Sequence, residues 1–148
     1  MTTIADYLTT EHKRCDDLFI DAENNVNGKT WEQAEILFAQ FRDAIEQHFS
    51  MEETVLFPAF ESATGNSAGP TSVMRTEHRQ IRGILSSLTD ALARRDKIAY
   101  LGHSESLNIM LQQHNMKEGN ILYPMTDRVL AAQQSDLVEE MRRLAVVA

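Results

Sequence analysis

Four histidines and two glutamates in this chain fall at spacings that suit a metal. The stretches HFSMEETVLFP (48–58) and HNMKEGNILYP (114–124) both read His-x-x-x-Glu-x-x-x-Leu-aromatic-Pro. His48 lies 66 residues before His114, and the same offset links Glu52 to Glu118, Leu56 to Leu122 and Pro58 to Pro124. Upstream, TEHKR (10–14) faces TEHRQ (76–80), so His12 maps onto His78 at the same offset. Each half therefore carries a lone histidine and, 36 residues later, a His-x-x-x-Glu. Duplicating a fold repeats apolar positions; it gives no reason to repeat His and Glu.

Residues four apart on a helix share a face, which puts His48 one turn from Glu52 and His114 one turn from Glu118. Their helical neighbours are apolar: Leu8, Cys15 and Phe19 around His12, Ala44, Ile45 and Val55 around His48, Ile81 and Leu85 around His78, and Met110, Leu111 and Ile121 around His114. All six polar groups should face a core. Buried imidazoles and carboxylates cost several kcal/mol each unless something satisfies them. A backbone carbonyl or a surface lysine could serve one such motif. Two copies with two matched histidines call for one agent that satisfies all six. Nitrogen and carboxylate ligands without cysteine suit Fe, Mn or Zn. Two carboxylates that bridge two ions leave two histidines for each, a dinuclear site in a helical core.

The elements that must position these residues are helices. Apolar residues recur at three and four, as in Phe38, Phe41, Ile45 and Phe49, or Ile81, Ile84, Leu85 and Leu88. Gly and Pro cluster in SATGNSAGPTS (62–72), and turns are expected at NNVNGKT (24–30), RRDK (94–97) and QQSD (133–136). Thr30 with Gln33 suggests a capping box, and Asp96 and Ser135 suggest helix N-caps. The expected fold class is all-α: an up-down-up-down antiparallel four-helix bundle with a short C-terminal fifth helix. Its helices should run over about 3–25, 30–62, 70–94, 97–131 and 136–146. The whole chain, 1–148, should form a single domain of two similar helix pairs, about 1–66 and 67–132, plus the C-terminal helix. Pro58 and Pro124 each follow a ligand histidine by ten residues, so a kink or break is expected there in both halves. Phe57 and Tyr123, which precede them, should close that end of the bundle.

Composition narrows the function. A net charge of −8 argues against nucleic acid or an anionic membrane as partner. No apolar run reaches the ~18 residues of a membrane span, and the N-terminal stretch MTTIADYLTTEHKR lacks a signal peptide's apolar region. The single cysteine fits a reducing compartment, so a cytoplasmic location is expected.

With His12, His48-x-x-x-Glu52, His78 and His114-x-x-x-Glu118 in this order, the sequence resembles the hemerythrin-like (HHE cation-binding) family across nearly the whole chain. The resemblance implies a four-helix bundle with two non-haem Fe ions and a bridging oxo or hydroxo group, with Mn or Zn as alternatives. It implies His12, His48, His78 and His114 as imidazole ligands and Glu52 and Glu118 as bridging carboxylates. The implied partner is a small diatomic ligand or peroxide. The oxygen-carrying branch of the family supplies a fifth histidine four residues from another on the third helix. Here Met74 and Arg82 flank His78 at that spacing, so at least one position should stay open or take water.

The leading expectation is a di-iron protein that binds O2 or NO as sensor, store or scavenger. The alternatives are a di-iron enzyme acting on peroxide, an iron-centre repair or iron-donor protein, and, last, a metal-free helical interaction module. Repair proteins that resemble this chain carry a further N-terminal segment, whereas 11 residues precede His12, which ranks that role lower. Other polar residues are read as structural. His103 maps onto Leu37, Glu53 onto Gly119 with its side chain turned away from the Glu52 face, Asp16 onto Arg82, and Cys15 onto Ile81. Emptied of metal, the cluster is expected to weaken the fold most at mildly acidic pH.

Overall fold

A computed structural model describes residues 2–147 of the chain. Among these the elements are all helical. They are α1 (Ile4–Asn27), α2 (Trp31–Met51), α3 (Phe57–Thr64), α4 (Pro70–Ala93), α5 (Lys97–Lys117), α6 (Tyr123–Val129) and α7 (Gln134–Val147), with a 3-10 turn at Ala131–Gln133. Two π turns, Glu52–Leu56 and Glu118–Leu122, join α2 to α3 and α5 to α6. The result is a four-helix bundle in which α1 packs on α2 and α4 on α5, with α7 as the additional C-terminal helix.

The two tight turns are built alike at the 66-residue offset. Gly28 and Arg94 donate their N–H groups to the Asn24 and Asp90 carbonyls, and Thr30 and Asp96 donate to those of Asn25 and Ala91. Between them, Lys29 and Arg95 both take the left-handed region, at φ 59° and 52°. Asp96 caps α5, its carboxylate accepting the Ala99 N–H at 3.0 Å. Thr30 stands at the matching position without a capping bond, because its hydroxyl donates instead to the Asn25 backbone and side-chain oxygens; the expected capping box does not form. Ser135 is not a cap either, since α7 already begins at Gln134.

Of the expected kink or break at the prolines, a full break does not occur: the chain stays helical through both, with a π turn just ahead of each. In an α-helix Pro58 would leave the Thr54 carbonyl without a donor and press its ring against it. The chain widens there instead, and Phe57 donates to Glu52 C=O, five residues back, as Tyr123 does to Glu118 C=O. Each proline then enters as the second residue of α3 or α6. The two wide turns are not buried alike: Val55 is buried in the first, whereas its counterpart in the second is not. Ile121, expected beside His114 in the core, is 57% exposed, while Leu122 is buried.

Two apolar clusters fill the bundle. One, near the tight turns, includes Phe19, Phe38, Phe41, Leu88 and Tyr100. The other, at the opposite end, brings Leu137, Val138 and Met141 of α7 onto Leu8, Met51, Phe57 and Tyr123. Burying an aliphatic or aromatic side chain contributes roughly 1.5–3 kcal/mol, so α7 is a stabilising lid on the end where both π turns lie.

Candidate metal centre

The six singled-out residues converge in the core. His48, Glu52, His78, His114 and Glu118 are buried, and His12 is mostly so, with 13% of its side chain exposed. Metal-ligating atoms of Glu52, His78, His114 and Glu118 lie within 4.8 Å of one another, as do those of His12, His48 and Glu118. Glu118 thus belongs to both groups. Both glutamates open a π turn, so the backbone irregularity that tolerates each proline sits at a metal-facing carboxylate.

The fit of a metal is read from what the cluster leaves unsatisfied. His78 Nε2 approaches Glu52 Oε1 to 3.1 Å, and His114 Nε2 approaches Glu118 Oε1 to 3.3 Å. Yet His78 Nε2, His114 Nε2 and Glu52 Oε1 are buried without a hydrogen-bond partner, and Glu118 Oε2 is too. The atoms are near enough but wrongly aimed for one another. Buried polar atoms are nearly always paired; donors that converge yet do not pair are what a cation would satisfy. The nitrogen and oxygen ligand set, without sulfur, suits a borderline transition metal.

The electrostatics describe a charged cluster. Burial pushes Glu52 up, but His48, Glu118 and His78 outweigh it and hold the carboxyl well below its usual range. Burial pulls His48 down and Glu52 more than restores it, leaving it raised. For His114 burial is likewise overcome, by Glu118, Glu52 and Glu77, which lift it to about 9. A metal taken up here would have to displace protons from His48 and His114.

Several residues at the site were misread or left open in the sequence. Glu53, set aside as turned away, accepts from His78 Nδ1 at 2.7 Å. It is held by a two-pronged Arg82 contact at 2.9 and 3.0 Å, and Arg82 also reaches Glu46 at 2.9 Å. Glu53 points away from its neighbour's face, as expected, but that direction leads to the next helix, where His78 stands. Glu77 plays the same part for His114 Nδ1 at 2.8 Å, with Lys117 bonded to its other oxygen. Glu77 precedes His78 in the repeated TEH triplet, a signal that went unread. Tyr123 reaches the cluster. Its hydroxyl lies 2.8 Å from Glu52 Oε2, 3.0 Å from Glu118 Oε1 and 3.1 Å from His12 Nε2. Burial first, then Glu118 and Glu52, push its phenol well above its ordinary value. Phe57, its counterpart, stacks on His78 with ring centres 5.7 Å apart. Phe49 lies closer still against His78, at 3.8 Å. His103 is half-buried outside the cluster. Cys15 is buried, and desolvation pushes its thiol to about 12, as a core residue requires.

A His/Glu cluster inside a four-helix bundle defines a cation-binding helical protein. Residues 3–126 match the hemerythrin HHE cation binding domain, and the chain belongs to that family. It is 32% identical over 93 residues to "Iron-sulfur cluster repair protein YtfE" of Edwardsiella ictaluri, covering 56% of this chain and 42% of the relative. It is 34% identical over 92 residues to the protein of the same name from Dickeya chrysanthemi, covering 55% and 41%. The matched region thus spans about two-fifths of these relatives. No solved structure matches the chain. No helix among the described residues is long and apolar enough to cross a membrane.

Proposed function

We propose that the chain is a non-haem di-iron protein whose ligands are His12, His48, Glu52, His78, His114 and Glu118, and that it binds O2 or NO. The observation that carries the reading is the set of buried, converging, unpaired nitrogen and oxygen atoms. Bound there, two irons would supply redox and ligand-binding chemistry toward O2, NO or peroxide. The imidazole Nε2 atoms ligate, His78 and His114 with their rings oriented by Glu53 and Glu77, respectively, through Nδ1. Glu118, common to both groups, links the two positions. Tyr123 holds a proton at its hydroxyl between Glu52 and Glu118, where it can be donated to a bound small molecule. Phe49 and Phe57 exclude water from the His78 side.

The second reading is iron donation for cluster repair. Its support is that two relatives bear the name iron-sulfur cluster repair proteins, although the match covers less than half of each. Elemental analysis after iron-replete growth should find about two irons per chain. Less than about half an equivalent of any transition metal would refute both readings. Anaerobic titration of the reduced protein with O2 and NO should then give saturable spectral changes. No change with either ligand, in a protein that holds its iron, leaves repair as the better reading.

A further inference from the structure

Building on the dinuclear reading, we propose that the two ions are held unequally. The ion taken by His78 and His114 is firmly held. The ion taken by His12 and His48 exchanges with solution through a groove beside Gly119.

The first ground is ring support. His78 and His114 each give Nδ1 to a carboxylate, Glu53 and Glu77. His48 Nδ1 is buried with no partner. The counterpart of Glu77, at the 66-residue offset, is Glu11, which pairs with Arg14 instead. Carboxylates behind ligand imidazoles fix the ring and raise its basicity, and losing one typically costs about 10–100-fold in metal affinity. Both such carboxylates serve the same ion.

The second ground is access. On the His78 side, Phe49 covers the ring, and Glu53 and Arg82 close the surface, with Arg82 5.2 Å above Phe49. Their counterparts beside His12 are Asn115, Gly119 and Asp16. An apolar lid, a carboxylate and its clamping cation are replaced by an amide, no side chain and an acid. His78 is wholly buried, whereas His12 keeps 13% of its side chain exposed. A groove of about 330 Å³ opens there, lined by His12, Lys13, Asp16, Asn115 and Gly119 among others. A Cβ placed on Gly119 would meet nothing within 4 Å. A cation leaving the His12 side finds an open path with an acid at its mouth; one leaving the His78 side does not.

The test is release of iron to a chelator. The whole chain is loaded anaerobically with two equivalents of ferrous iron and mixed with excess ferrous chelator. Release should show two phases of one iron each, differing in rate by at least roughly tenfold. His12→Gln should remove the fast phase and keep the slow one. Glu53→Gln and Glu77→Gln should each accelerate the slow phase by roughly ten- to a hundredfold and leave the fast phase unchanged, which a merely loosened fold would not do. The pair Asp16→Arg with Gly119→Glu builds a counterpart of Arg82 and Glu53 beside His12 and should slow the fast phase. Uptake of fewer than two irons would overturn the dinuclear reading itself. Two irons leaving in one phase, or Glu53→Gln speeding only the fast phase, would overturn the unequal hold and leave the dinuclear reading standing.

Discussion

The two helix pairs repeat one another in ligands and turns but not in what stands behind the ligands. His12, His48 and Glu52 correspond to His78, His114 and Glu118, and the backbone hydrogen bonds of the two tight turns match. Behind them the halves part. The second-half histidines lean on Glu53 and Glu77, and the first-half histidines do not. Tyr123 reaches into the cluster, where Phe57 only stacks against it. A repeated scaffold can thus keep its inward His and Glu positions and still vary the groups that aim them.

The largest effect should come from the two buried carboxylates, Glu118 before Glu52. Glu118 is the one carboxylate grouped with His12 and His48, whereas Glu52 shares its group with Glu118. Glu118→Ala should therefore empty the His12 position, and Glu52→Ala should leave three donors at each. Metal content by elemental analysis should fall to one or less in the first and stay above one in the second. Glu118→Ala should also destabilise the metal-free chain by about 3–5 kcal/mol, since it strands buried imidazoles without their counter-charge. Equal metal loss in the two variants would restore a symmetric site.

Next comes pH dependence of the metal-free chain. His114 is raised from 6.5 to about 9, so its contribution is fully present below pH 6.5 and is lost as pH rises through about 9. Glu52 lies well below its usual 4.5, so its contribution is present above that pH and is lost only as pH falls well beneath it. Stability should be greatest between those limits and should fall on the alkaline side by an amount on the order of a few kcal/mol. In place of the weakening anticipated at mildly acidic pH, an alkaline one is expected, because neighbouring glutamates hold His48 and His114 above their ordinary value. Melting of chelated protein from pH 5 to 10 checks this, and His114→Gln should flatten the alkaline limb.

Tyr123→Phe makes the inward-reaching aromatic like its first-half counterpart. It leaves Glu52 Oε2 without its hydroxyl donor, which should cost the metal-free chain about 1–3 kcal/mol by denaturant unfolding. A neutral result would mean that the hydroxyl matters only to bound ligands.

The smallest effect separates the two tight turns. Asp96→Ala removes a formed cap and should cost about 1 kcal/mol, while Thr30→Ala should cost about half that, since no cap bond is lost. Larger loss at Thr30 would show that its bonds to Asn25 hold the turn as firmly as a cap does.

Much of this protein is written within single helices. The period of apolar residues marks the bundle, and the 66-residue offset singles out the six converging side chains, because residues four apart on one helix share a face wherever that helix packs. What stands on the next helix is another matter. That Glu53 meets His78, that Glu77 meets His114, that His48 Nδ1 finds no hydrogen-bond partner among the described residues and that Tyr123 reaches the cluster depend on how neighbouring helices rotate and slide against one another. Burial depends on those contacts too: Val55 and Ile121 stand at the same place in matching π turns, yet Val55 is buried and Ile121 is 57% exposed. Spacing along one helix is a local property of the chain. Contact between helices is settled only when the whole core packs, and that is where the two halves became different.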